Sequence, residues 1–122
     1  MSKSNLVTPD YKECAVASTT ERISPRKLNL VAATIRGMDA QRAMDHLGFM
    51  KVRGAPIIKK VIRSAMANAS HNKGVDAPTV ILRAEVGCKS ILRRFRPGNR
   101  AATPICRRYS HVRIVLGVKG GE

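Results

Sequence analysis

The chain has 122 residues, of which 23 are Lys or Arg and 8 are Asp or Glu, a formal net charge of +15. Hydrophobic residues make up 43%, enough for a folded core, while aromatics are 3% with no Trp, so that core is expected to be aliphatic. A small body with this charge repels itself and favours a polyanionic partner, which sets aside a solitary small-molecule enzyme.

At this length one domain is expected. No apolar run approaches the ~20 residues of a membrane span. Residues 1–10 carry neither the apolar segment of a signal peptide nor the Arg-rich pattern of a transit peptide. Cys14, Cys88 and Cys106 are odd in number and far apart. That suits reduced thiols rather than a disulfide framework or a zinc site.

Tyr11 to Ala17 alternates weakly and is expected to be a strand. Ser24-Pro25 offers a helix start, with Ser as N-cap and Pro at the first helical position, where its missing N–H costs nothing. Leu28, Val31 and Ile35 follow at helical spacing, and Gly37 suits a left-handed C-terminal cap. A shorter helix is expected from Asp39, using Ala43, Met44 and Leu47 and ending before Gly48. The third helix is the clearest: Ile57, Ile58, Val61, Ile62, Ala65, Met66 and Ala69 repeat at i, i+3, i+4. Pro56 lies near its start, Lys59, Lys60 and Arg63 fall off the stripe, and Asn72-Lys73-Gly74 closes it. Gly48, Gly54 and Gly74 read as helix punctuation.

After Ala77-Pro78 the period changes to two. Val80, Leu82, Ala84, Val86 and Cys88 point one way, and Ile81, Arg83, Glu85, Gly87 and Lys89 the other. A second run sets Val112, Ile114, Leu116 and Val118 against His111, Arg113, Val115 and Gly117. Pairing these antiparallel over the helices predicts an α+β fold, a small globular domain of three helices on a three-stranded antiparallel sheet. Its body spans about residues 11–88 and 109–118, with tails at 1–10 and 119–122.

Charge is unevenly spread. Residues 1–85 hold 14 Lys/Arg and 7 acids, whereas residues 86–122 hold 9 Lys/Arg and a single acid, with no carboxylate from Val86 to Gly121. The stretch 89–108 is too charged to build a core, and Pro97-Gly98-Asn99 near its middle is a turn former. It is expected to continue the two strands as a long extended β-hairpin arm with its tip near 97–103. Limbs of about ten residues would reach roughly 30 Å at ~3.3 Å per residue. A basic loop is the alternative for the isolated protein, since a free two-stranded ribbon is marginal in water.

Arg forks onto phosphate oxygens and stacks on bases, and six of the seven basic residues of the arm are Arg. RNA is read by shape and by stacking on splayed bases, which suits an Arg-rich ribbon carrying Phe95. No Cys/His finger or heptad zipper points to DNA. His46 and His71 read as surface or cap residues near helix ends. Ser110 and His111 are strand neighbours on opposite faces, so they form no nucleophile–base pair. With no paired carboxylates and no Gly-rich phosphate loop, catalysis is not expected, and the cysteines read as small apolar residues. Neither a cofactor nor a metal is expected.

Five segments in order resemble the universal large-subunit ribosomal protein family L-twenty-two in its bacterial or organellar form. They are Arg22-Ile23-Ser24-Pro25-Arg26-Lys27, Ile35-Arg36-Gly37, Ser64 to Ala69 followed by Asn72-Lys73-Gly74, Arg94-Phe95-Arg96-Pro97, and Arg107-Arg108-Tyr109-Ser110-His111. The resemblance is collinear over about residues 12–118. It implies a structural constituent of the large subunit that binds 23S-like rRNA and aids assembly. Its body would sit on the outer face of the subunit, and its hairpin would line the nascent-peptide exit tunnel.

On that basis the expected RNA-binding residues are Arg22, Ser24, Pro25, Arg26, Lys27, Lys59, Lys60 and Arg63 in the body. In the arm they are Lys89, Arg93, Arg94, Arg96, Arg100, Arg107 and Arg108, joined by His111 and Arg113 at its base. Pro97, Gly98, Asn99, Arg100, Ala101 and Ala102 form the expected tunnel-facing tip. That tip is about one residue shorter than is common in the family and lacks two or three of its usual basic residues. Tyr109 stands where Thr is common and is expected to cover the root of the ribbon rather than stack on a base. Expected partners are rRNA, neighbouring large-subunit proteins and the nascent peptide, without a membrane and without a homo-oligomer. The expected location is a ribosome of the bacterial cytoplasm, mitochondrial matrix or plastid stroma. A non-ribosomal RNA chaperone using the same ribbon is the alternative function.

Overall fold

Three amphipathic helices need one apolar sheet face to cover, and β3 supplies its centre. In the computed structural model, which describes residues 11–74 and 79–119, the order is β1 (Tyr11–Glu21), α1 (Pro25–Ile35), α2 (Ala40–Phe49), α3 (Gly54–Lys73), β2 (Thr79–Arg96) and β3 (Thr103–Lys119). The antiparallel sheet has the order β1-β3-β2, the expected α+β arrangement with the long hairpin formed by β2 and β3. Val112, Ile114 and Leu116 of β3 are fully buried against the helices. They meet Leu28 and Ile35 of α1, Leu47 of α2, and Ile58, Ile62 and Ala65 of α3 in one aliphatic cluster. Each fully buried Ile or Leu there contributes about 1.5–3 kcal/mol relative to exposure.

Several local expectations are corrected. β1 runs four residues past Ala17, because Ser18 to Glu21 continue to pair with β3 as far as Glu21 opposite Ser110. Ser24 stands at the N-cap of α1, but its side chain makes no capping hydrogen bond. Gly37, with φ +78°, is not a left-handed cap directly on α1. Arg36 is extended (φ −62°, ψ 131°) and Met38 N–H donates to the Ile35 carbonyl at 3.1 Å, which makes Ile35 to Met38 a type II turn. Only a residue tolerant of positive φ fits the third position of that turn, hence Gly37. The turn lays Gly37–Asp39 along the outer edge of β2. Gly37 N–H donates to the Ile81 carbonyl (3.0 Å), Ile81 N–H to the Met38 carbonyl (2.9 Å), and Arg36 Nε to the Ala84 carbonyl (2.9 Å).

Gly48 does not end α2, which continues to Phe49 from an N-cap at Asp39 whose carboxylate accepts from the Arg42 N–H. Gly54 opens α3, where a Cβ would lie 3.0 Å from Leu28 Cδ1 and 3.4 Å from Val31 Cγ2, so its lack of a side chain lets α3 start against α1. Gly74 caps α3 in the left-handed conformation.

The strict alternation of β2 is also corrected. Ladder register slips at Cys14, Leu82 and Lys89, each the extra residue of a β-bulge. The bulge at Leu82 reverses the side-chain phase, so Ile81, expected outward, is fully buried while Ala84 and Val86 still face the core. Val115, expected on the polar side of β3, is fully buried as well. The Arg83–Glu13 ion pair connects β2 and β1 across β3 on that side. The expected tail 1–10, the last three residues and the Ala77-Pro78 step before β2 lie outside the described residues.

Candidate nucleic-acid interface

Beyond Ser110 the sheet loses β1, and β2 and β3 go on as a two-stranded ribbon from Ser90 opposite Tyr109 to Arg96 opposite Thr103. The ribbon is thus a paired ladder rather than a loop. Its paired limb of seven residues reaches roughly 23 Å at ~3.3 Å per residue, short of the expected 30 Å because residues 97–102 form the tip.

Like charges directly opposite one another would destabilise such a ladder, and its register avoids them. Ile91 faces Arg108, Leu92 faces Arg107, Arg93 faces Cys106, Arg94 faces Ile105, and Arg96 faces Thr103. Strand alternation sets Arg93 and Arg108 on one face and Arg94, Arg96 and Arg107 on the other, so both faces present guanidinium groups. Leu92, Ile105 and Tyr109 are half-buried, Tyr109 at the root of the ribbon. At the tip a Cβ on Gly98 would lie 2.5 Å from the Ala101 carbonyl oxygen, so Gly98 lets the chain turn back closely on itself.

Where the arm leaves the body, it forms two adjoining concavities with the start of α1. Ser24, Pro25, Arg26, Cys88 and Arg108 line the first. Arg22, Ile23, Ser24, Lys27, Arg53, Cys106, Arg107 and Arg108 line the second, a cleft of ≈ 330 Å³. Five basic residues from three chain segments line that cleft, and no Asp or Glu lines either concavity.

The helix end adds to this field. Pro25 occupies the first turn of α1, the turn contains no acid, and the Leu28 N–H is the first to reach back, donating to the Ser24 carbonyl at 3.1 Å. The N–H groups of Arg26 and Lys27 therefore precede the intrahelical ladder, at the positive end of the helix dipole. Amide donors and guanidinium groups around an open, acid-free cleft are the chemistry that holds phosphate.

The structure thus brings together Arg22, Ser24, Pro25, Arg26, Lys27, Arg107 and Arg108 of the expected set. It adds Arg53, which sequence reasoning passed over. The signal for it was Gly54: a glycine opening α3 against Leu28 and Val31 puts the preceding residue beside the first turn of α1. Lys60 and Arg63 are exposed on α3 and line neither concavity, while the Lys59 amine lies beside Gly48. Lys89, Arg93, Arg94, Arg96 and Arg100 are exposed along the arm and its tip.

His111 and Arg113 take the opposite side of the sheet, where Arg113 Nη1 pairs with Glu85 at 3.5 Å. Ser110 is fully buried, its hydroxyl 3.5 Å from the Glu21 carbonyl, and is turned from His111. Cys14 is buried, but Cys88 and Cys106 are exposed in the two concavities, contrary to an apolar role. Among the described residues no group of three His, Cys, Asp or Glu side chains is placed to hold a metal ion.

Residues 16–117 match the family described as Ribosomal protein L22p/L17e. The chain belongs to this family. Curated relatives agree. The large ribosomal subunit protein uL22 of Lacticaseibacillus casei is 44% identical over 102 residues, covering 82% of this chain and 87% of the relative. Those of Gluconacetobacter diazotrophicus and Magnetococcus marinus are 42% and 36% identical over 83% and 86% of this chain, and 77% and 95% of their own length.

This is a family of structural ribosomal proteins rather than enzymes. The motifs that carried the resemblance have structural reasons here. Arg22 to Lys27 builds the cleft at α1, and Ile35-Arg36-Gly37 is the type II turn that covers the edge of β2. In Ser64 to Ala69, the buried Ala65 and Ala69 face the sheet, and Asn68 Nδ2 donates to the Val16 carbonyl at 3.0 Å, tying α3 to β1.

Proposed function

We propose that this chain is a structural constituent of the large ribosomal subunit in a bacterial cytoplasm, where it binds large-subunit rRNA and assists its folding. The carrying observation is the acid-free cleft at the arm root, in which Arg22, Lys27, Arg53, Arg107 and Arg108 surround the uncapped start of α1. RNA backbone seats in this cleft, and the arm runs on from it with Arg side chains on both faces, neutralising phosphates that would otherwise repel each other. Lys59, Lys60 and Arg63 extend the basic surface along α3. The arm reaches into the RNA interior beside neighbouring subunit proteins. Its tip, Pro97 to Ala102, lines the exit tunnel, where Ala101 and Ala102 present little for a passing nascent peptide to adhere to.

The test is the salt dependence of binding to a large-subunit rRNA transcript. Replacing Arg93, Arg94 and Arg96 with Ala should flatten the slope of log K against log salt by about 2.1–2.7, at roughly 0.7–0.9 per phosphate contact. An unchanged slope overturns the assignment of the arm as an RNA anchor.

A further inference from the structure

The chain has two phenylalanines, and neither is in the core. Phe95 is on the arm between Arg94 and Arg96. Phe49 is elsewhere, at the last residue of α2, and is 86% exposed, the highest value among the exposed large hydrophobics of the described residues. A side chain able to bury a large apolar area is thus left in water at the end of α2.

Its surroundings are mainly cationic, the one carboxylate close by in the chain being the exposed Asp45 a helical turn earlier on α2. From His46 to Val75 there is no Asp or Glu, and Lys51 and Arg53 follow Phe49 directly in the α2–α3 connection. The Lys59 amine comes back from α3 to within 3.3 Å of where a Cβ on Gly48 would stand, placing a further cation at the same helix end. Arg53 itself turns into the acid-free cleft. Four residues of chain span at most about 14 Å, so RNA gripped in the cleft passes within reach of the Phe49 ring.

We infer that Phe49 is a stacking platform for an unpaired base of the RNA held in that cleft, an inference that rests on the RNA-binding reading above. Aromatic rings beside Lys and Arg are the combination that binds single-stranded nucleic acid, the cations tracking the backbone while a base lies on the ring. A protein partner fits less well. The cores of protein interfaces are depleted of Lys, and within three positions of Phe49 along the chain the apolar residues outside the core are the half-exposed Val52 and the half-buried Met50. The body thereby gains a means of telling single-stranded from double-stranded RNA that its phosphate-binding cations lack.

The experiment uses the full chain with two probes, a single-stranded RNA of about 12 nucleotides, within the ~4–16-nucleotide range of such sites, and a blunt duplex of equal length. The chain has no Trp, so Phe49→Trp installs a unique indole reporter. The single strand should quench its emission and the duplex should not. Phe49→Ala should bind the single strand about 5- to 150-fold more weakly, the range expected for one lost base stack, with its duplex affinity and circular dichroism unchanged.

Undiminished single-strand binding by Phe49→Ala, with unquenched emission from Phe49→Trp, overturns the stacking role and leaves the RNA reading standing. Failure of the unsubstituted chain to bind either probe removes both. Emission that responds only within assembled particles, and not to RNA, assigns Phe49 to a protein contact and overturns the inference.

Discussion

Arg53→Gln removes one of the five cations around the arm-root cleft while leaving the fold's own interactions in place. The side chain makes no capping bond to α3 and is exposed, so the expected change in stability is within about 0.5 kcal/mol. Its effect on binding follows from counterion release. Each phosphate contact contributes roughly 0.7–0.9 to the slope of log K against log salt, so a fourfold rise in salt costs about threefold in affinity per contact. Arg53→Gln should flatten the slope by about 0.7–0.9, and the triple variant with Arg107→Gln and Arg108→Gln by about 2.1–2.7 if the three act independently. Fluorescence anisotropy of a labelled rRNA transcript, titrated from about 50 to 200 mM salt, reads both numbers directly. A folded Arg53→Gln variant with the parental slope would refute the reasoning, because the cleft would then not be where phosphate sits.

Three further outcomes are expected. Deleting Gly98 to Ala102 should leave incorporation into large subunits intact and alter sensitivity to tunnel-binding drugs or arresting nascent peptides; failed assembly would make the tip an RNA-folding element instead. Gly37→Ala should lower stability by about 1–2 kcal/mol through backbone strain alone, since nothing lies within 4 Å of the added Cβ. An unchanged denaturation midpoint would contradict the type II turn. Arg113→Gln should leave the salt slope unaltered, because Glu85 already faces that guanidinium, and should cost under about 1 kcal/mol as an exposed ion pair. A flattened slope would place RNA on the outer side of the sheet.

What could be read from the sequence divides along physical lines. The α3 stripe from Ile57 to Ala69 was legible because a helix encodes its buried face in local spacing, and each stripe residue is buried or half-buried. The antiparallel hairpin was legible from two alternating runs joined by a basic stretch with turn formers at its centre. The faces of β2 were not, because a bulge adds one residue that looks like ordinary alternation until the partner strand is placed beside it. Leu82 and Lys89 are such residues, and Ile81 changed sides as a result.

The site shows the same divide. Runs of charge announced the arm, the family resemblance pointed to the start of α1, and the structure gathers Arg22, Lys27, Arg107 and Arg108 into one cleft. Arg53 stayed hidden because its place depends on how closely α3 approaches α1, a tertiary distance set by the missing side chain of Gly54. Arg113 has the residue type of a phosphate ligand, but its register on β3 sets it opposite Glu85, and pairing between strands cannot be seen from the residue alone.

The central claim is that this chain is an integral large-subunit protein anchored by its arm and cleft. Sucrose-gradient fractionation of a tagged copy tests it most directly, with a wash at about 0.5 M salt, where binding that rests on phosphate contacts alone is largely lost. Co-migration with large subunits at one copy per particle is the predicted result. Release into the top fractions would contradict the account and leave a general RNA-binding protein with a ribosomal fold.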